Sequence, residues 1–276
     1  MINIIEGEEN IMLTQKFHVA VPTVFYDNEE LNIIGTINHI EHLYNKGVKS
    51  VLVCGTTGEQ HSLKVDEKIA LIKAINNSQI VNSMEIIFGV AAIRQKDAEE
   101  LAEVIEATNI SGIMLGYPPY ILPSQKEAIE YTKSIINIVN KPIILYNNPD
   151  RTGFDLSIES IITLSKYNNI IGIKDPGNED KLSILKENIK KQLYYYAGGE
   201  LNLESKLMSG YNRLSSIAGN VYPKEVNEWL LSILNKNNDI DHKNITDKIN
   251  NLYNGNIIYN IKNEISLGIT RKPLGN

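Results

Sequence analysis

A chain of 276 residues with 42% hydrophobic content can bury one large core, and a length of about 250 is usual for a single α/β barrel. Its 27 Lys and Arg against 33 Asp and Glu give a net charge of −6; the basic residues are spread along the chain, which excludes the concentrated positive footprint that nucleic-acid binding needs. Cys54 is the sole cysteine, which excludes an intrachain disulfide framework and a Cys-based zinc cluster and fits a reducing cytoplasm.

In chain order, MINIIEGEENIML carries three acidic residues among short apolar pieces, unlike the basic start and unbroken apolar run of a secretory leader. Residues 1–17 are read as an N-terminal extension. From His18 onward, short apolar or β-branched runs alternate with longer segments of helical spacing. The strands are expected at HVAVPTVF from His18, SVLVCG from Ser50, EIIFGVA from Glu85, SGIMLG from Ser111, KPIILYN from Lys141, IIGIKD from Ile170, LYYYAGG from Leu193 and RLSSIAG from Arg213. Helical patterns fall between them in LNIIGTINHIEHLYNKG, DEKIALIKAI, DAEELAEVIEAT, QKEAIEYTKSIINIV and LSIESIITLSKY, and PKEVNEWLLSILNK follows the last strand. Eight such βα units predict a (β/α)8 barrel over residues 18–235, with residues 236–276 as a small C-terminal helical appendage. No apolar stretch approaches the roughly 20 residues of a membrane span. Small-molecule partners, with neither nucleic acid nor membrane, are expected.

Barrel sites are built at the carboxyl ends of the strands. There the second strand ends in Gly55-Thr56-Thr57-Gly58-Glu59, the fourth runs into Tyr117-Pro118-Pro119-Tyr120, the fifth into Tyr146-Asn147-Asn148-Pro149-Asp150-Arg151-Thr152-Gly153, and the sixth into Lys174-Asp175. Lys174 closes an otherwise dry run, where desolvation lowers an amine's pKa, and a neutral amine attacks a ketone to form an imine. A strand-end lysine can also snorkel to solvent. Tyr146 is a candidate general acid and base, although a strand-end tyrosine is commonly structural. The glycines around Thr56 and Thr57 permit a tight turn that brings backbone amides near a carboxylate. Arg151 carries a planar fork that suits a carboxylate, with a surface salt bridge as the alternative. Alternation places Asp175 on the face opposite Lys174, in a loop-capping role.

Other chemistries find little support. The histidines, at positions 18, 39, 42, 61 and 242, form no HExxH pair, and His39 with His42 on one helix face reads as packing rather than a metal site. No GxSxG elbow, Walker loop or GxGxxG follows a strand. Cys54 reads as a buried small hydrophobe, and Tyr194-Tyr195-Tyr196 as strand packing.

Together, GTTGE at Gly55, YNNPDRTG at Tyr146 and GIKD at Gly172 resemble the dihydrodipicolinate synthase and N-acetylneuraminate lyase superfamily, from about His18 to GITRKPL near Leu274. The resemblance implies a metal-independent class I lyase with no cofactor beyond a Schiff base between pyruvate and Lys174. It makes Tyr146 the proton-transferring residue, Thr56 a relay hydroxyl and Thr57 a holder of the pyruvate carboxylate. Tyr120 matches a tyrosine that reaches into a neighbouring subunit's site, which implies a homo-oligomer, a dimer or a tetramer. Arg151 matches the arginine that holds the carboxylate of aspartate semialdehyde, and Gly198 and Ser215 are expected in substrate binding. Arg151 favours the synthase branch and a place in lysine biosynthesis. Pro119 before Tyr120, Asp175 after the lysine and Gly199-Glu200 after the seventh strand depart from that branch's usual residues. Lyases or dehydratases of 2-keto-3-deoxy sugar acids or sialic acids, and a non-catalytic ligand-binding relative, remain the alternatives.

Overall fold

The computed structural model describes residues 13–237 and 242–272. Eight strands, β1 (Phe17–Ala20), β2 (Ser50–Val53), β3 (Glu85–Val90), β4 (Gly112–Gly116), β5 (Ile143–Tyr146), β6 (Ile170–Asp175), β7 (Tyr194–Gly198) and β8 (Arg213–Ser216), close into one barrel in sequence order. Every neighbouring pair is parallel, including β1 with β8. The helices α1 (Ile33–Asn45), α2 (Val65–Asn77), α3 (Gln95–Glu106), α4 (Gln125–Ile136), α5 (Pro149–Thr152), α6 (Ile158–Leu164), α7 (Glu179–Asn188), α8 (Leu203–Ser209) and α9 (Pro223–Leu234) fill the crossovers. Two more, α10 (Lys243–Leu252) and α11 (Ile257–Glu264), form the appendage. This is the (β/α)8 barrel that the alternating runs predict. None of the described helices is long and apolar enough to cross a membrane.

Strand alternation separates two apolar layers. Leu52, Ile87, Met114, Ile144, Tyr194 and Tyr196 pack inside the barrel, whereas their neighbours Val51, Val53, Ile113, Leu115, Leu145 and Tyr195 join the layer beneath the helices. Both faces of each strand are thus dry, which is why the strands read as near-continuous apolar runs. On β6 the register against β5 slips after Ile170, so that Ile143 faces Ile170 and Ile144 faces Gly172. The extra residue lets Ile171 pack inside while Ile173 faces the helices. Lys174, next after Ile173, then turns inward beside Tyr146 in register.

The appendage is tied into the barrel. Lys262 of α11 reaches Glu59 at 2.5 Å, with both side chains almost fully buried, and the Arg271 backbone N–H donates to the same carboxylate at 2.8 Å. The Arg271 guanidinium pairs with Glu67 and donates to the carbonyls of Glu29 and Ser62, while Phe25 lies under both cations. The extension expected over residues 1–17 is likewise no separate piece at its described end: Leu13 is buried in the inner cluster and Phe17 already belongs to β1. Residues 1–12 of that extension, and 238–241 and 273–276 of the appendage, lie outside the described residues.

Candidate active site

The strand ends converge as expected. Thr56, Tyr146, Arg151 and Lys174 line a cavity of about 520 Å³ that extends toward β3 and β4. The same four residues, with Thr57 and Gly198, line a second opening of about 870 Å³ that runs toward α8 and the appendage. Lys174 is half-buried on their common floor. Burial holds its ammonium well below the ordinary lysine range, at about 8, although the Glu200 carboxylate pulls the other way.

Tyr146 follows Leu145 at the end of a dry strand, and its phenol needs polar partners. It finds two: Thr56 Oγ1 at 3.1 Å and the Asn148 side-chain amide, which donates at 3.1 Å. The Lys174 ammonium lies 5.4 Å from the centre of the Tyr146 ring. Asn148 is a site residue that the sequence reading left unassigned, though it stands two places after Tyr146; its Oδ1 is buried without a partner among the described residues.

The β2 turn explains why the chain places hydroxyls at this point. Cys54 (φ +57°) and Glu59 (φ +52°) adopt the left-handed region, rare for residues with a Cβ, and bracket a tight turn. A Cβ at Gly89 would fall 2.2 Å from the Cys54 carbonyl oxygen, so only glycine lets β3 pass this bend. Glu59 is pinned by Lys262 and Arg271, and Thr23 donates to the Gly58 carbonyl at 2.7 Å. Among the described residues, no protein acceptor takes the Thr56 or Thr57 backbone N–H, leaving both donors open to an anion. Cys54 itself is fully buried, with its thiol pushed up to about 12. It is inert packing, as read from the sequence.

The other assigned residues divide. Gly198 borders the amine directly: a Cβ there would sit 3.5 Å from Lys174 Cε and 2.8 Å from the Asp175 carbonyl oxygen. Ser215 is not brought to the site. It is fully buried in β8 and lines neither cavity, and its carbonyl accepts from Gly199 N at 3.0 Å. It pairs with Gly198 in register, and its hydroxyl is buried with no hydrogen-bond partner among the described residues. Tyr120 is 90% exposed, adopts φ +77° and lines neither cavity of its own chain. Arg151 is exposed and lies in the one-turn helix α5; Asn148 precedes Pro149 at its start and Gly153 (φ +75°) closes it.

Asp175 faces away from Lys174, as alternation predicts. It accepts from Gly177 N at 2.8 Å, the expected loop cap, and from Tyr211 Oη at 2.5 Å. Glu200 is buried and accepts from Ser216 Oγ, the Ile217 and Ala218 amides, and Tyr253 Oη at 2.7 Å. It therefore stiffens the β7 and β8 ends from behind, and Tyr253 brings α10 to the rim. His18 packs inside the barrel against Tyr196, with ring centres 5.3 Å apart; burial and the nearby Lys174 cation hold it neutral, well below the usual imidazole range.

Comparison with known proteins agrees with the barrel fold. The family model of the dihydrodipicolinate synthetase family matches residues 14–271. A 4-hydroxy-tetrahydrodipicolinate synthase of Methanococcoides burtonii is 33% identical over 74% of this chain and 70% of that relative. Among solved structures, a dihydrodipicolinate synthase from Aquifex aeolicus superposes with a TM-score of 0.87 at 25% identity, over 95% of this chain and 92% of the other. A chloride-inhibited dihydrodipicolinate synthase from Acinetobacter baumannii, solved in complex with pyruvate, gives 0.82 at 26% identity, over 94% and 92%. The chain belongs to the dihydrodipicolinate synthetase family and is a lyase-type enzyme.

Proposed function

We propose that this enzyme condenses pyruvate with aspartate semialdehyde through a Schiff base on Lys174, yielding 4-hydroxy-tetrahydrodipicolinate. The observation that carries the reading is the half-buried Lys174 amine, its pKa lowered to about 8 by burial, sharing one cavity with the hydrogen-bonded pair Tyr146 and Thr56. The Acinetobacter relative's pyruvate complex supports the choice of donor substrate, and the name of the Methanococcoides relative supports the product.

The neutral Lys174 amine attacks the pyruvate keto carbon, and its C=O π bond opens to a carbinolamine. Tyr146 delivers a proton to the departing hydroxyl, water leaves, and the iminium forms. The iminium draws electrons from the methyl carbon, which loses a proton to become an enamine, so no metal or organic cofactor enters the scheme. The enamine carbon bonds to the aldehyde carbon, and the aldehyde oxygen takes up a proton. Attack of the acceptor's own amine on the iminium carbon then closes the ring and frees Lys174. Throughout, the pyruvate carboxylate is held by the Thr57 hydroxyl and the open Thr56 and Thr57 amides, and Arg151 receives the acceptor's carboxylate as a bidentate pair.

Tyr120 completes the proton relay in a neighbouring subunit. Its near-complete exposure, its positive φ and the exposed Ile121 and Leu122 beside it support an oligomer that covers this loop. The test is a screen of aldehyde acceptors with pyruvate, followed by pyruvate consumption. Aspartate semialdehyde is expected to give the highest kcat/KM; a clear preference for a sugar-derived aldehyde would replace this acceptor with a sugar-acid reaction.

A further inference from the structure

The wall of the larger cavity opposite the threonine turn carries a cation that the scheme above leaves unused. Lys206, in the middle of α8, is 8% exposed and lines the 870 Å³ opening together with Lys174, Arg151, Thr57 and Gly198. Its stem runs along Gly177 (φ +114°), where an added Cβ would meet Lys206 Cε at 2.8 Å. Glycine there makes room for this side chain. No acceptor among the described residues hydrogen-bonds or ion-pairs with its ammonium. The nearby carboxylates of Asp175 and Glu200 attract it from a distance but are already served, Asp175 by Tyr211 and Gly177 N, Glu200 by Ser216, Tyr253 and two backbone amides. The stem is buried while the ammonium keeps access to the opening, so a ligand's anion can reach a cation that has no protein partner among the described residues.

We infer that Lys206 is a specificity-determining residue of the acceptor pocket: with Arg151 it forms a two-cation wall that selects aldehydes bearing a carboxylate. This rests on the proposed condensation at Lys174 and names the substrate class that its acceptor side takes. The exposed Asp150 and Glu179, on the same opening, leave a place for an acceptor's ammonium, so an amino-acid aldehyde and its deaminated analogue both meet the carboxylate requirement.

The test compares the wild type with Lys206→Met, which keeps an unbranched stem along Gly177 and removes the charge. Acceptors are aspartate semialdehyde, succinic semialdehyde and uncharged butyraldehyde, with pyruvate consumption as the readout and borohydride trapping at Lys174 as a control for the donor half-reaction. A hydrogen bond to a charged group contributes about 1.5–3 kcal/mol, so KM for the two acidic aldehydes is expected to rise roughly 10- to 100-fold, with butyraldehyde turnover and trapping unchanged. Equal losses with all three acceptors, or no change with any, would overturn the inference. Succinate, added to the pyruvate-treated proteins, gives a readout independent of turnover. A rise in unfolding temperature for the wild type that is lost in Lys206→Met supports the cation's role even if no aldehyde is consumed, an outcome that would instead sink the proposed condensation. The same rise in both proteins would overturn the role of Lys206.

Discussion

Replacing Lys262 with methionine tests whether the C-terminal helices hold the catalytic turn. Lys262 and Glu59 are almost completely buried and 2.5 Å apart, and Glu59 occupies the left-handed corner that ends the Thr56-Thr57 turn. Removing one partner of such a pair leaves an uncompensated charge and costs about 3–5 kcal/mol; the Arg271 amide still serves Glu59, which favours the lower end. At roughly 2–4 °C per kcal/mol for a chain of this size, Lys262→Met should lower the unfolding midpoint by about 6–12 °C. The double variant Lys262→Met with Glu59→Gln removes both charges and should recover part of the loss. Thermal unfolding followed by circular dichroism reads both, and pyruvate trapping at 20 °C, where the variant is still folded, reads the turn. The expectation is slower trapping through weaker pyruvate binding. An unchanged midpoint together with unchanged trapping would refute the coupling between appendage and turn.

Imine formation should follow the neutral fraction of Lys174. Because burial lowers its pKa to about 8, the amine loses its proton as pH rises through that value, so the rate of trapping by cyanoborohydride should climb from pH 6 and level off above about 8.5; a climb continuing unbent past pH 9.5 would mark an ordinary lysine. Tyr146→Phe should reduce turnover by about 10²-fold or more while pyruvate affinity changes little, which steady-state kinetics separates from binding; undiminished turnover would assign the proton transfer elsewhere. Tyr120→Phe should cause a milder loss of the same kind, and the dependence of wild-type activity on oligomer formation, followed by sedimentation across a dilution series, checks whether the site is shared. Arg151→Ala should raise KM for aspartate semialdehyde with pyruvate trapping preserved, and Arg151→Lys should restore only part of the loss because the fork is gone.

The barrel was readable because its local signals agree with its tertiary environment: strands buried on both faces are written as unbroken apolar runs such as Ile143-Ile144-Leu145, and the crossovers carry helical spacing. Lys174, Tyr146 and Thr56 were legible because each breaks such a pattern at a strand end. What lay beyond reach depends on side-chain direction and distant partners. The Ile171 slip on β6 cannot be seen in a run of isoleucines, although it decides which neighbours face inward. Lys206 looks like a solvent lysine on a short amphipathic helix, and only the absent Cβ of Gly177 opens its path to the cavity. The Glu59–Lys262 pair joins residues 203 positions apart, a separation that periodicity does not encode. Ser215 sits level with Gly198 in register yet lines neither cavity, a distinction that position along a strand does not carry.

The proposed reaction turns on a covalent imine between pyruvate and Lys174. Incubation with pyruvate and borohydride, followed by proteolysis and peptide mass mapping, tests it most directly because reduction converts the reversible imine into a stable secondary amine. One carboxyethyl adduct is expected, on Lys174, abolished in Lys174→Ala while circular dichroism still shows a folded protein. An adduct on a different lysine, or none under conditions where pyruvate is being consumed, would contradict it.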